Sequence, residues 1–510
     1  MKLPIRSREQ HTSNASNSDR QRDVDEGETM RERIERVAAD LQDLSLFYNI
    51  KVSPQRKARL KEHYNEELHG LEDVPFDKLD QQGRVDYLLL NGYLERCSRL
   101  IDLETAKDKK IVEPPLSFAV TIIRLCESRQ HMLPIDAQAA AEDVHNIIQR
   151  VTRLIQDIDA WDQGVDETGI LHIDQTSAYR AACTVEQLQE HLAEWFEYYN
   201  GYDSMFTQWL VNTYGKVKVA LEKYANVFRA KLAGIVSGDG DAIIGDPIGR
   251  DGLLVELKYE HISYTPEELL NIGEKEYEWC LKEMKNLHLT SIMDMTWRMF
   301  MMTPARQKVN PFFLGGDDII VSYPTSTMDH EDKLMSMRGN NPHFSRSIVF
   351  HELLPGHHLQ TYHMPRSKPY RYPIFDTPFS NRIGMLFWRI HRCIRIVFSL
   401  RFHLGQSTPQ ECIDMLVDRV GHERATAEGE VRRSLIGDYS QLYQAGYLLG
   451  GLQLYKLRQE LVGSGEMPEK SFHDRFLKEN TMPIEMLRAL ITKQPLERDF
   501  ETNWRFYQKI

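Results

Sequence analysis

The run F-H-E-L-L-P-G-H-H-L-Q at residues 350–360 carries the side chains of this chain that are best suited to metal chemistry. In the common H-E-x-x-H pattern, two histidines four residues apart bind Zn²⁺ and the glutamate acts as general base. Here Pro355, which cannot bind a metal, stands four residues after His351. The run therefore predicts a stretched form of the zinc-hydrolase helix, with His351 as a ligand and Glu352 as the base.

The second histidine ligand is left open by the spacing. On an ideal helix His357 lies about 120° from His351, whereas His358 lies close to the same face. A proline in a helix interior costs roughly 3 kcal/mol, so Pro355 and Gly356 indicate a local bulge that serves a purpose. A bulge that absorbs one or two residues would bring His357 round to His351 instead.

Carboxylates that could complete a metal site are scarce after the motif. A catalytic zinc needs three protein ligands and an open position for water. Between Leu353 and Gln410 the only acidic residue is Asp376. Asp376 is therefore the first candidate for the third ligand and Glu423 the second. With the two histidines alone, we expect zinc to bind weakly.

Composition narrows the classes of function. The net charge of −12 and the sequence pI of about 5.9 argue against nucleic acid or an anionic membrane surface as a partner, because both select basic patches. The six cysteines lie far apart without a C-x-x-C pair, which is typical of buried thiols in a reducing compartment. The N-terminal residues lack the apolar core of a signal peptide, and no apolar run is long enough to span a bilayer. We expect a soluble, cytoplasmic protein, with its oligomeric state left open.

Patterns along the chain predict a mainly α-helical fold with a small β element. The expected divisions are a disordered tail (1–28), a helical N-terminal half (29–235), a linker (236–264) with a candidate strand at 253–257, and a helical second half (265–510). In the second half we expect helices at 382–404, 409–436, 441–463 and 470–490. Thr265 and Thr408 each begin a helix through a capping box.

Residues 317–324 predict a strand that leaves a glycine turn. Such a strand can form an edge that aligns an extended substrate by backbone pairing. It can equally belong to a structural hairpin.

The helix expected at 382–404 carries four arginines. They are Arg382, Arg389, Arg392 and Arg395. The acids of the following helix are the expected partners, namely Glu423, Glu428 and Glu430. We favour interhelical ion pairs over a site for a substrate carboxylate.

Several segments resemble domain-of-unknown-function family 885, a group with the marks of zinc metallopeptidases. They are H-E-x-x-P-G-H at 351–357, D-R-V-G-H-E-R at 418–424, E-V-R-R at 430–433 and Y-Q-A-G-Y-L-L-G at 443–450. The resemblance implies a mostly helical, metallopeptidase-like fold with a deep central cleft, which forms one continuous domain over 29–510 and has its catalytic half at 265–510. It implies His357 as the second zinc ligand and Glu352 as the activator of water. It also implies that Tyr447, or the pair Arg432 and Arg433, faces the cleft.

The chain departs from the family pattern beside the metal site. Family members similar to this chain carry an E-G-W-A-L-Y-type segment after T-P-F. The glutamate of that segment is the expected third zinc ligand. Here T-P-F at 377–379 runs directly into S-N-R-I-G-M-L-F-W at 380–388. The chain is then a defective gene model or splice form, a degenerate relative, or a protein in which another side chain completes the site.

Three hypotheses for the function compete. The motif predicts a zinc-dependent hydrolase of peptide bonds in short peptides or peptide-like metabolites, in which Tyr447 stabilises the tetrahedral oxyanion and an arginine holds a substrate carboxylate. The missing segment predicts instead an impaired descendant that binds a peptide or metabolite, or scaffolds a partner. A plain helical interaction protein with a chance motif is the third hypothesis.

Overall fold

The architecture is that of a computed structural model, which describes most of the chain. The described residues are 28–112, 115–163, 173–235, 242–284, 299–307, 313–314, 319–326, 328–339, 386–436, 439–479 and 481–507. Within these ranges the chain is mainly α-helical with one small sheet, which confirms the fold class predicted from the sequence. The central cleft stays a prediction.

The helices are numbered in chain order. The N-terminal helices are α1 (Met30–Phe47), α2 (Pro54–Glu72), α3 (Gln81–Val112), α4 (Ala119–Gln130), α5 (Ala137–Asp162), α6 (Gln175–Tyr199) and α7 (Ser204–Val227). The middle helices are α8 (Gly249–Tyr259), α9 (Pro266–Met284), α10 (Pro304–Gln307) and α11 (His330–Gly339). The C-terminal helices are α12 (Leu386–His403), α13 (Pro409–Met415), α14 (Arg424–Leu435), α15 (Tyr443–Arg458), α16 (Glu469–Lys478) and α17 (Ile484–Thr492). Short π-helical segments extend α7, α13 and α15, at Phe228–Leu232, Leu416–Val420 and Gln459–Gly463.

Local sequence explains where these helices begin and which face they bury. In α5 the side chain of Asp136 accepts hydrogen bonds from the first free N–H groups, and Val144, Val151 and Ile158 form part of a buried stripe at helical spacing. At α13 the predicted capping box is present, because Thr408 and Glu411 each accept a hydrogen bond from the other's backbone N–H.

The small sheet contains β1 (Met299–Met301), β2 (Phe313–Leu314) and β3 (Ile319–Val321), in the order β1-β3-β2. β3 pairs with β1 in parallel and with β2 in antiparallel register. The strand predicted at 317–324 is therefore confirmed over its central residues, as part of a hairpin with β2. Because β3 lies between two strands, its proposed role as an exposed substrate-binding edge is wrong.

The strand expected at 253–257 is also wrong, because these residues lie inside α8. Leu253, Glu256 and Leu257 are all buried, and this three-and-four spacing is that of one helix face rather than of an alternating strand. The buried Glu256 accepts a hydrogen bond from Nε of Arg96 on α3 at 2.9 Å. This ion pair ties the expected linker region to the N-terminal helices.

Two helices expected in the C-terminal half are each broken in two. The helix expected at 409–436 is interrupted at Gly421, whose φ of 85° lies in the left-handed region that favours glycine. The helix expected at 470–490 is divided into α16 and α17, because Pro483 cannot continue a helix and instead precedes α17. The other two expected helices correspond to α12 and to α15 with its π-helical extension.

Two large hydrophobic cores organise the described residues. The first joins α1, α2 and α3 to α8, α9, α12, α15 and α17, and it includes Trp504 and Phe506 of the C-terminal segment. The second lies mainly among α4, α5, α6 and α7, around large side chains such as Trp195 and Tyr224. The first core thus connects the two expected halves of the chain, while the exact domain boundaries stay predictions.

Helices α9 and α12 lie close together at Gly273. A Cβ atom at that position would lie 3.2 Å from Cγ2 of Val397 and 3.3 Å from the carbonyl oxygen of Cys393. Only a residue without a side chain fits such an approach without displacing the neighbouring helix.

None of the described helices could cross a lipid bilayer, because each of them is too short or too polar. All six cysteines have free thiols, and four of them are buried.

Candidate functional site

The residues predicted for the metal site, together with the first arginine of the expected helix, lie outside the described residues. They are His351, Glu352, His357, His358, Asp376 and Arg382. The described helices on either side of this segment are α11 and α12, and both reach the region of α14. Nε of Arg338, near the end of α11, donates a 2.8 Å hydrogen bond to Oε1 of Glu423, just before α14. α12 reaches α14 itself through a buried polar cluster.

Glu430 of α14 lies at the centre of this polar cluster, between α12 and α15. Its side chain is fully buried and forms an ion pair with Nη2 of Arg395 on α12. Nε2 of His391, one turn earlier on α12, lies 3.7 Å from the same carboxylate oxygen. Because a buried charge is stable only when it is paired and hydrogen-bonded, this contact fixes the position of α12 against α14.

A second histidine, His422, joins the cluster from the turn before α14. The π-helical segment Leu416–Val420 ends at Gly421, and the left-handed backbone there ends the helix and leads into the turn. Nε2 of His422 lies 2.5 Å from Nδ1 of His391. One nitrogen must donate and the other accept, so the two rings take opposite roles in this hydrogen bond.

Burial sets the charge states of the cluster. Burial, reinforced by the neighbouring Arg395, lowers the pKa of His391 well below 6.5, and burial lowers the pKa of His422 to about 4. Burial works to raise the pKa of Glu430, but Arg395 and His391 hold it well below its usual value. At neutral pH the cluster therefore contains two neutral imidazoles, one carboxylate and the charged Arg395.

Arg433 of α14, a predicted site residue, is bordered by tyrosines. Its Nη2 donates a 2.9 Å hydrogen bond to the hydroxyl of Tyr443, and its guanidinium lies 4.8 Å from the ring centroid of Tyr439. The hydroxyl of Tyr443 lies 2.5 Å from that of Tyr447, and Nη1 of Arg433 lies 3.9 Å from Oε1 of Glu430. The structure thus brings two predicted site residues, Arg433 and Tyr447, into one cluster.

The ring of Tyr447 lies against two arginines of α12. The distance from the ring centroid is 4.6 Å to the guanidinium of Arg395 and 5.9 Å to that of Arg392. Such cation–π contacts fix the ring and leave its hydroxyl directed along the Tyr443 hydrogen bond. Arg432, the remaining predicted residue of α14, is half-buried and projects about 100° around the helix from its neighbour.

The interhelical ion pairs predicted for α12 are confirmed in part. Arg395 pairs with Glu430, as expected. Arg389 pairs instead with the buried Glu276 of α9. Glu423, expected as a partner for α12 and as a candidate zinc ligand, is engaged by α11.

Among the described residues, three potential metal ligands come within 4.8 Å of one another only at Asp40, His63 and Glu67, on α1 and α2. There Nη1 of Arg36 lies 2.6 Å from the carboxylate of Glu67. In the buried cluster, Glu430 is likewise held by an arginine. Since a guanidinium repels a metal ion from the carboxylate it occupies, neither group fits zinc. The predicted zinc site therefore depends on residues outside the described ranges.

Sequence reasoning missed His391, Tyr439 and Tyr443 as members of the cluster. Their spacing was the available signal, because Tyr439, Tyr443 and Tyr447 recur every four residues and His391 precedes Arg395 by four. A four-residue spacing places Tyr443 and Tyr447 on one face of α15, whereas Tyr439 lies before that helix, and spacing does not reveal which helix such a face meets.

The comparisons with known proteins support a family likeness in the part of the chain that holds the cluster. The family model "Bacterial protein of unknown function (DUF885)" matches residues 372–491. This segment contains the whole cluster from His391 to Tyr447, and it begins after the run at 351–357. No curated protein matches the chain.

Two solved structures match this chain over most of its length. One is a protein from Shewanella oneidensis described as "a putative lipoprotein of unknown function", with a TM-score of 0.55 and 12% identity, over 91% of this chain and 100% of that one. The other is a protein from Colwellia psychrerythraea with a similar description, with a TM-score of 0.46 and 13% identity, over 92% of this chain and 99% of that one. At such identities the first likeness concerns the fold alone.

Proposed function

We propose that this protein is a zinc-dependent hydrolase of peptide bonds in short peptides or peptide-like metabolites. The observation that carries the proposal is the H-E-x-x-P-G-H run, in which His351 and His357 would hold the metal and Glu352 would act as the base. Asp376 is the proposed third ligand, and His358 is the alternative to His357.

The chemistry divides between the metal and the side chains of the protein. Bound zinc would polarise the scissile carbonyl and lower the pKa of water toward ~7. Glu352 would accept the proton of the attacking water and deliver it to the leaving amine. The hydroxyl of Tyr447 would donate a hydrogen bond to the tetrahedral oxyanion, and its hydrogen bond to Tyr443 would fix its direction.

The geometry of the described residues gives further support. The described helices before and after the motif segment, α11 and α12, both contact α14 or the turn before it. Between α12, α14 and α15 lies a buried set of arginine, histidine, glutamate and tyrosine side chains. Burying so many ionisable groups is costly, and clusters of this kind are typical of functional sites.

The test is hydrolysis of short peptides in the presence of zinc by the wild-type protein and by Glu352→Gln. We expect cleavage that a chelator abolishes and a loss of about 100-fold to 10,000-fold in the variant, because the general base is removed. Glu497→Gln, at an exposed glutamate, is the matched control and should keep the wild-type rate. Full activity in Glu352→Gln would contradict the proposed mechanism.

A second function, binding without hydrolysis, is favoured by the missing glutamate segment and by the scarcity of carboxylates after the motif. In that case the cluster would bind a peptide or metabolite, or the surface would scaffold a partner. Peptide cleavage at ordinary enzyme rates would exclude this function.

The cellular location is a separate proposal. The free, mostly buried cysteines favour a reducing, cytoplasmic compartment. The lipoprotein description of the Shewanella oneidensis protein suggests instead an envelope location. Fractionation of cells that express the full-length protein with a C-terminal tag distinguishes the two.

A further inference from the structure

Among the described residues, the buried positive charges around Glu430 outnumber its single negative charge. Two guanidiniums, those of Arg395 and Arg433, share this single buried carboxylate. Arg395 forms the direct ion pair, whereas Nη1 of Arg433 remains 3.9 Å away, beyond hydrogen-bond distance. Arg433 is therefore a buried cation that has a carboxylate within ion-pair distance but forms no hydrogen bond to it.

The donors of Arg433 are only partly used. A guanidinium has five N–H groups, and Nη2 of Arg433 donates one hydrogen bond to the hydroxyl of Tyr443. Its Nε is buried and has no hydrogen-bond partner among the described residues. The side chain thus keeps donor capacity of the forked kind that matches a carboxylate.

Arg433 also lies directly beneath the protein surface. Only 9% of its surface is exposed, but the ring of Tyr439 that covers it is 37% exposed, and Ile436 beside it is 39% exposed. Tyr439 stacks on Tyr443 with ring centroids 4.1 Å apart. A ligand that displaced the partly exposed ring of Tyr439 would therefore reach the guanidinium.

We propose that Arg433, framed by Tyr439 and Tyr443, binds the carboxylate of the ligand, so that the protein selects peptides or peptide-like acids with a free C-terminus. This inference rests on the proposed function for its ligand class. The carboxylate would complete the pairing of Arg433, and the tyrosine rings would cover the adjacent apolar part of the ligand. Tyr447, hydrogen-bonded to Tyr443, would then stand next to the bound end of the peptide.

The experiment measures binding rather than turnover, in full-length protein carrying Glu352→Gln. The probe is a pool of acetyl-Xaa-Ala peptides with every natural residue at Xaa, once as free acids and once as C-terminal amides. Retained peptides are quantified by mass spectrometry after ultrafiltration. We expect the acids to bind about tenfold more tightly than the amides, and Arg433→Gln to abolish that preference.

Two further variants separate binding from structure. Arg433→Lys keeps the charge but loses the fork, so it should bind the acids more weakly than the parent and leave the amides unchanged. Arg433→Lys also replaces Arg433→Gln as the test variant if circular dichroism shows that Arg433→Gln does not fold. Arg424→Gln, which removes an exposed ion pair of the same helix, should keep the full preference.

Equal binding of acids and amides by the parent, or no binding of either pool, would overturn the inference. So would an unchanged preference in a folded Arg433→Gln or Arg433→Lys protein. Failure of the proposed function gives a different pattern, in which acid-selective binding persists but the protein with Glu352 intact cleaves no peptide.

Discussion

Glu430 lies between two guanidiniums, and its removal would leave both without their shared counter-charge. A buried ion pair contributes little net stability compared with an apolar pair, but removing one partner is strongly destabilising. The contact of α12 with α14 therefore depends on this one carboxylate more than on any exposed ion pair nearby.

We expect Glu430→Gln to lower the free energy of unfolding by about 3–5 kcal/mol, because it leaves Arg395 charged and buried without its partner. Urea denaturation followed by circular dichroism measures the change. The control is Asp414→Asn, which removes an exposed ion pair with Arg424 and should change stability by less than about 1 kcal/mol. A similar small change in Glu430→Gln would show that the buried pair does not hold α12 and α14 together.

Buried histidines make stability depend on pH. Burial lowers the pKa of His403 and of His422 to about 4, whereas an unfolded histidine titrates near ~6.5. Below the pKa of the unfolded histidine, the unfolded chain binds more protons than the folded one. The contribution of the neutral histidine to stability is therefore fully present above that pKa and is lost as the pH falls toward 4. Each such histidine should remove about 2 kcal/mol of stability between pH 7 and pH 5.

The variant His403→Gln tests this pH dependence. We expect its unfolding free energy to fall between pH 7 and pH 5 by about 2 kcal/mol less than that of the wild type, because one buried histidine no longer titrates. His69→Gln, at an exposed position of α2, is the control for loss of a surface histidine. An identical pH profile for His403→Gln and the wild type would mean that His403 is not titrated through unfolding.

At the scale of elements, the contact between α9 and α12 sets the position of the cluster. α12 supplies His391, Arg392 and Arg395 to the cluster. On its other side α12 packs closely against α9, because Gly273 of α9 has no side chain. A side chain at Gly273 would push α12 away from α9 and toward the cluster.

We expect Gly273→Leu to destabilise the protein by about 1–3 kcal/mol, because the added side chain meets Val397 and the backbone of Cys393. The matched control is Gly215→Ala in α7, where nothing lies within 4 Å of an added Cβ. That change should instead stabilise by about 0.5–1 kcal/mol through helix propensity. Thermal unfolding of both variants gives the comparison, and a neutral Gly273→Leu would contradict the close packing.

How far the sequence predicts these elements depends on the kind of signal. The apolar stripe of α5 and the capping box at Thr408 are local patterns, and both are confirmed. The break at Gly421 and the helical state of 253–257 were missed, because a glycine can be accommodated inside a helix and a short apolar run fits either structure. For the site, Tyr447 and Arg433 were named through resemblance, but the pairing of α12 with α9 is a tertiary fact that spacing does not encode.

At the scale of the whole molecule, the first core takes side chains from both ends of the chain. Ile34 and Leu89 of the N-terminal helices share it with Leu449 of α15 and with Trp504. Arg498, in the C-terminal segment, donates hydrogen bonds to backbone carbonyls of residues 71, 72 and 74. The C-terminal half therefore lacks a large part of its core when it stands alone.

We expect a fragment of residues 265–510 to show no cooperative unfolding transition by circular dichroism, because it exposes the surface that α1, α2 and α3 cover. Addition of a separate fragment of residues 28–264 should restore the transition. The full-length protein is the control. A cooperative transition in the isolated 265–510 fragment would mean that the shared core is dispensable.

The central claim, that the motif at 351–357 makes this protein a zinc enzyme, is tested most directly by the zinc content of the purified full-length protein. Elemental analysis after dialysis against dilute zinc compares the wild type with His351→Ala, and His69→Ala controls for loss of a surface histidine. We predict close to one zinc per chain in the wild type and in His69→Ala, and its loss in His351→Ala. Zinc that is absent from the wild type, or equally present in His351→Ala, would contradict the proposed function.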